Sequence, residues 1–193
     1  MKTPSPAFLA AAVAALAAAC GLAGLVALNT GGAVGAGPVR LGLSHGYSLA
    51  ADRLAAGGRP EDLAAAEDRL REALALSPMN TAARLSLAGL ERDRLGYLSA
   101  AAEDQLALSY RLLPVDPRAA LRRSRLALEN WPALDPSTRQ AALYEIETVH
   151  RLHGQAGRVE ALLGEISDPA GRVAAALLLR KFQLARDYFN SHD

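Results

Sequence analysis

Three observations predict an all-α fold for this chain of 193 residues. Ala, Leu, Arg and Glu dominate the composition, and all four are good helix formers, while runs of β-branched residues are missing. Between Gly and Pro punctuation, apolar residues recur at the i, i+3, i+4 spacing of an amphipathic helix. The dipeptide Asp-Pro stands at 116–117, 135–136 and 168–169; Asp caps a helix N-terminus and Pro fits its first position.

The first predicted element is a membrane span. Residues 7–28, AFLAAAVAALAAACGLAGLVAL, carry no charge, and about 20 apolar residues in a helix cross a bilayer core. Ala17 with Gly21, and Cys20 with Gly24, form small-xxx-small pairs, so Ala17, Gly21 and Gly24 are candidate helix-packing positions within the membrane. Lys2 is the only charge before the run and Arg40 the first after it. This bias favours a cytoplasmic N-terminus and a domain on the far side. Arg outnumbers Lys heavily and Ala is abundant, as expected of a GC-rich bacterial genome. The expected location is therefore the bacterial inner membrane, single-pass, with the domain in the periplasm. Two alternatives stand beside an uncleaved anchor. A cleaved signal would use Val34-Gly35-Ala36, well past the apolar run. Lipidation at Cys20 would find Ala17 where Leu is usual.

Residues 29–43 are Gly-rich with one Pro and no periodicity, which reads as a flexible linker spanning about 20 Å on average. Residues 44–193 then form one helical-repeat domain. Only Lys2 and Arg40 precede it, leaving 19 basic residues against 20 acidic ones. A nearly neutral domain is a poor nucleic-acid binder. The sole cysteine, Cys20, lies inside the span, so the domain holds no disulfide.

Within the domain, Tyr47–Ala56 predicts an opening helix that turns at Gly57-Gly58-Arg59. Pro60, Glu61 and Asp62 start the next, whose apolar face is Leu63, Ala66, Leu70, Ala73 and Leu74, and Ser77-Pro78 ends it. A helix over 80–95 turns at Gly96-Tyr97. Ala102, Leu106, Ser109 and Pro114 then repeat the small, large, small, Pro spacing of Ala66, Leu70, Ala73 and Pro78, displaced by 36 residues. Asp116-Pro117 predicts a helix to Asn130, Trp131–Leu134 a bridge, Asp135-Pro136 a helix to Gly154, residues 156–166 a short helix, and Asp168-Pro169 a last helix to about Asn190.

The repeated spacing resembles the second helix of a tetratricopeptide repeat, with Leu87-Ala88 where that repeat expects Leu-Gly. The Trp and Tyr of the family's first helix are missing. The resemblance implies a TPR-like α-α superhelix over 44–114, with divergent helix pairs over 115–193. Residues 109–149, with Trp131, Leu134, Asp135 and Pro136, resemble small TPR-containing single-pass proteins of bacterial exopolysaccharide and O-antigen assembly loci. That resemblance implies a scaffold role and no catalytic residue.

Candidate chemistry is sparse. Glu147, His150 and His153 share one helix face at i, i+3, i+6 but lack a further ligand, so a solvated face is expected and no metal. His45 and His192 have no evident partner. There is no phosphate-binding loop and no nucleophile elbow. Arg118, Arg122 and Arg125, at i, i+4, i+7 with Arg123 beside them, are the densest charge cluster. They are a candidate surface for an acidic partner, anionic headgroups or an acidic glycan, unless they are simply solvated with Arg125 paired to Glu129. Ala174–Leu179 is an apolar stretch, either packed or a partner surface. The sequence thus predicts a non-enzymatic, cofactor-free, membrane-anchored scaffold or adaptor. Its partners are membrane proteins of an envelope assembly, in polysaccharide biosynthesis or export. The alternative is an accessory subunit of a secretion, pilus or energy-transducing complex that makes its main contact through the span.

Overall fold

The computed structural model describes residues 44–191. The predicted span 7–28, the linker 29–43, Ala17, Gly21, Gly24, Cys20 and His192 lie outside the described residues. Among those described, every regular element is helical, as expected of an all-α chain. The elements are α1 (Ser44–Gly57), α2 (Pro60–Leu76), α3 (Thr81–Leu95), α4 (Ala100–Leu112), α5 (Ala120–Leu128), a 3-10 turn (Trp131–Ala133), α6 (Pro136–His150), α7 (Ala156–Gly164) and α8 (Pro169–Asn190). No described helix is long and apolar enough to cross a membrane.

Short connections make consecutive helices pack as hairpins: α1 with α2, α3 with α4, α5 with α6, and α7 with α8. The first two hairpins repeat each other in detail. Ala66, Leu70 and Ala73 on α2, and Ala102, Leu106 and Ser109 on α4, are all buried. Small side chains there let the neighbouring helix approach. Both helices end alike, with Ser77 at φ −142°, ψ 89° and Leu113 at φ −143°, ψ 89°, each immediately before its proline. Gly96 takes φ +77° at the end of α3, the left-handed cap for which Gly carries no steric cost.

Three apolar clusters run along the array. Ala51, Ala66, Leu70, Ala73, Ala83 and Leu90 hold the amino-terminal hairpin to α3. Leu85, Ala88, Leu98, Leu106, Ala127, Leu134 and Ala142 fill the middle. Leu128, Ile146, Val149, Val159, Leu162, Leu178 and Phe182 form the last. Trp131 packs against both of the latter two.

The helix starts differ from expectation at one Asp-Pro of three. Asp135 and Asp168 accept from the N–H groups of Thr138 at 2.8 Å and Gly171 at 2.7 Å, the N-cap reach of three residues. Asp116 instead accepts from Arg118 N at 3.0 Å, an Asx turn. Residues 117–119 are a turn and α5 begins only at Ala120. α6 likewise stops at His150, with Gly154 at φ +72° closing the turns beyond it. Its core face is Thr138, Ala142, Glu145, Ile146 and Val149, whereas Tyr144 on α6 and Leu152 in the turn beyond it are exposed.

Two chain segments approach closely where α5 ends and α8 begins. Gly171 is buried, and a Cβ there would lie 1.9 Å from the carbonyl oxygen of Leu128. Glu129 ties the same junction, accepting from Ser167 N at 3.0 Å, Ser167 Oγ at 2.6 Å and Asp168 N at 3.1 Å.

Candidate functional site

The opening helices of the first three hairpins, α1, α3 and α5, share a polar line. On α3, Ser86 is buried and Gly89 presents no side chain, so the Arg122 side chain of α5 lies over this helix. A Cβ at Gly89 would sit 3.8 Å from Arg122 Nη2, an ordinary contact. Arg122 Nη1 donates to Ser86 Oγ at 3.1 Å, and that hydroxyl donates to Asp52 Oδ1 of α1 at 3.2 Å. Two clefts open along the line. The larger, about 210 Å³, is lined by Gly89, Arg92, Asp93, Arg122, Arg125 and Asn130 among others. A smaller one of about 60 Å³ lies beside Asp52, Ser86 and Arg122.

The walls carry both signs of charge. Arg92 pairs with Asp93 at 3.1 Å, and its buried Nε has no hydrogen-bond partner. At the far edge, burial pushes the Glu129 carboxyl up. The hydrogen bonds from Ser167 and Asp168, with Arg125 nearby, more than offset this and hold it below the usual range. Such a surface suits a partner with polar or mixed-charge side chains.

The predicted arginine stripe is divided by the structure. Arg118 lies in the turn before α5 and is exposed; Arg122 and Arg125 line the larger cleft. Arg125 does not pair with Glu129. It reaches Glu165, past the end of α7, because Glu129 is occupied by Ser167 and Asp168.

Arg123 turns inward. It is 1% exposed and forms a bidentate pair with Glu145, itself 0% exposed. Nε donates to Glu145 Oε2 at 2.9 Å and Nη2 donates to Oε1. Nη1 donates to the Ser109 carbonyl at 3.0 Å, and the guanidinium lies 4.2 Å from the Tyr110 ring centroid. Asp116 N donates to Glu145 Oε1 at 3.0 Å, which explains the tight turn before α5. The Tyr110 hydroxyl is buried without a hydrogen-bond partner. Burial, with the Glu145 charge beside it, pushes its pKa far up. This cluster locks α4, α5 and α6 together. Its signal was present in the sequence: Arg123 falls within the core spacing 120, 123, 124, 127, and Glu145 within 142, 145, 146, 149. Opposite charges occupy core positions of consecutive helices.

The predicted histidine face is dispersed. His150 stacks on Phe182, with ring centroids 3.7 Å apart, and its Nε2 meets Glu160 Oε1 at 2.9 Å. Glu147 pairs with Lys181 at 2.7 Å, and His153 is exposed in the turn after α6. Among the described residues no three His, Cys, Asp or Glu side chains cluster as a metal site.

The stretch 174–179 is divided as well. Ala174, Ala175 and Leu178 are buried in the cluster with Leu128, Ile146, Val159 and Leu162, whereas Leu177 is exposed. It borders a groove of about 350 Å³ lined by Trp131, Leu143, Val173, Leu177 and Lys181 among others.

No family model, no curated protein and no solved structure matches this chain.

Proposed function

We propose that this chain is a non-enzymatic, membrane-anchored scaffold whose TPR-like hairpin array binds a protein partner along the cleft of α1, α3 and α5. The observation that carries the proposal is the alignment of Asp52, Ser86, Arg122 and Arg125 across the opening helices of three successive hairpins. Stacked hairpins present a continuous surface in this way. Balanced charges in the cleft favour a specific polar partner over a bulk polyanion. The repeated burial of Ala66, Leu70, Ala73 and of Ala102, Leu106, Ser109 supports the TPR-like reading.

Residues 7–28 serve as the anchor, with the domain in the periplasm. The envelope-polysaccharide context rests on the resemblance of residues 109–149 alone.

The test is co-purification of the full chain from detergent-solubilised membranes, comparing wild type with Arg122→Glu and with Arg125→Glu/Asp93→Arg. Partner recovery should fall at least about tenfold, the effect of ~1.4 kcal/mol, with the melting transition retained. Unchanged recovery removes the cleft from the mechanism. A C-terminal alkaline phosphatase fusion reads the orientation; an inactive fusion reverses it.

A further inference from the structure

Among the described residues no element covers the outer face of α8, and stacked-hairpin arrays ordinarily give such a face polar side chains. α8 departs from this. Its inner face, Ala174, Ala175, Leu178 and Phe182, is buried. Its outer face carries Val173, Leu177, Leu184 and Tyr188, exposed by 62, 68, 54 and 61%. At 100° per residue these four fall within an arc of about 60°. They extend along roughly 22 Å of helix at 1.5 Å per residue.

Charge indicates what covers this face. α8 holds Arg172, Arg180, Lys181 and Arg186 against a single acid, Asp187, in a domain that is otherwise slightly acidic. Lys181 and Arg186 are held by Glu147 and Glu160 on the domain side. Among the described residues Arg172 and Arg180 have no acidic partner. An exposed apolar strip with basic flanks is the composition of a helix lying in a membrane interface. A second copy pairing antiparallel about the centre of the strip would set Arg180 against its own equivalent, which like-charge repulsion opposes.

Chain length agrees. Fifteen residues separate the apolar run 7–28 from α1, and a coil linker of that length averages about 20 Å end to end. This last point rests on the anchor reading of residues 7–28; the strip and its charge do not.

We infer that the outer face of α8 docks on an anionic lipid surface, with Val173, Leu177, Leu184 and Tyr188 at the headgroup–acyl boundary and Arg172 and Arg180 on the phosphates.

The test uses the full chain with Cys20→Ser, reconstituted in vesicles containing phosphatidylglycerol. An environment-sensitive fluorophore is placed in turn at Leu177→Cys, Ala14→Cys and Asp104→Cys. The expected result is blue-shifted emission at 177, quenched by brominated acyl chains, and an aqueous signal at 104. Adding Arg172→Glu/Arg180→Glu, or using phosphatidylcholine alone, should lose the shift at 177. An aqueous signal at 177 with hydrocarbon quenching at 14 overturns the docking and leaves the anchor standing. Lipid quenching at 177 with an aqueous signal at 14 supports the docking and removes the anchor. Aqueous signals at both positions remove both. A blue shift at 177 without bromolipid quenching overturns the proposal in favour of a protein cover, a second copy included.

Discussion

Replacing Gly171 by Ala tests the junction of α5 and α8. The added Cβ would lie 1.9 Å from Leu128 O and 2.8 Å from Leu128 C. Ordinary contact begins near 3.4 Å, so the helices must part by about 1.5 Å. Leu128 contributes backbone atoms to this contact, so no rotamer change relieves it. Overpacking of this kind costs about 1–3 kcal/mol. The same displacement strains the three bonds that Glu129 accepts from Ser167 and Asp168, and losing one bond to a charged group costs about 1.5–3 kcal/mol. A Gly→Ala gain in helix propensity, at most about 1 kcal/mol, returns part of this. The net expectation is a loss of about 2–5 kcal/mol. At about 2–4 °C per kcal/mol for a domain of this size, Tm should fall by roughly 4–20 °C. The control is Gly157→Ala on α7, where an added Cβ meets nothing within 4 Å; its Tm should hold or rise. Thermal circular dichroism on both variants decides. Equal melting temperatures for Gly171→Ala and wild type would refute the close approach.

Breaking the buried pair by Arg123→Met should cost about 3–5 kcal/mol in urea denaturation, because Glu145 is left charged and unpaired. Arg123→Met/Glu145→Leu should recover most of that loss, and a double variant as unstable as the single one would contradict the account. Stability should also fall in acid. Asp135 is held below the usual range by its hydrogen bonds with Ser137 and Thr138. The Glu160 carboxyl is likewise lowered, by His150 foremost and then Arg186, and Glu129 is lowered as well. Each contributes stability above its unfolded pKa and loses it as the pH falls through its folded one. Glu103 has the opposite sign: burial, with Asp135 beside it, raises its pKa, so its ionised form opposes folding at neutral pH. Glu103→Gln should therefore raise Tm at pH 7, and the gain should vanish near an ordinary Glu pKa of about 4.3; a gain constant across a pH series of melts would exclude this role.

Helix positions were legible because caps and periodicity are local. Asn80 caps α3 by accepting from Ala83 N at 3.0 Å, and Asp135 and Asp168 cap α6 and α8, each within four residues of sequence. Asp116 misled because its own N–H is taken by Glu145, 29 residues away, and no local pattern reports that. The same limit applies to the arginines. The spacing of 118, 122 and 125 places them near one helix face, but the partners of Arg122 and Arg125, Ser86 and Glu165, lie 36 and 40 residues off. Arg123 and Glu145 were hidden by the rule that charges face water, which fails when two opposite charges satisfy each other in the core. α8 was half legible. Its run of apolar residues marks a core helix, yet which side meets the core depends on where Gly171 lets it approach.

The separation of the apolar clusters bears on how the molecule carries load. Trp131 belongs to the packing of both carboxyl-terminal clusters, and the Arg123–Glu145 bridge crosses the same region. Among the described apolar clusters, the amino-terminal hairpin joins the rest of the array through α3, with Ala83 and Leu90 on one side and Leu85 and Ala88 on the other. Tension arriving through the chain before Ser44 enters at the least cross-braced end. Such an array yields by peeling α1 and α2 away first, opening the α1–α3 end of the cleft while the carboxyl-terminal half stays folded.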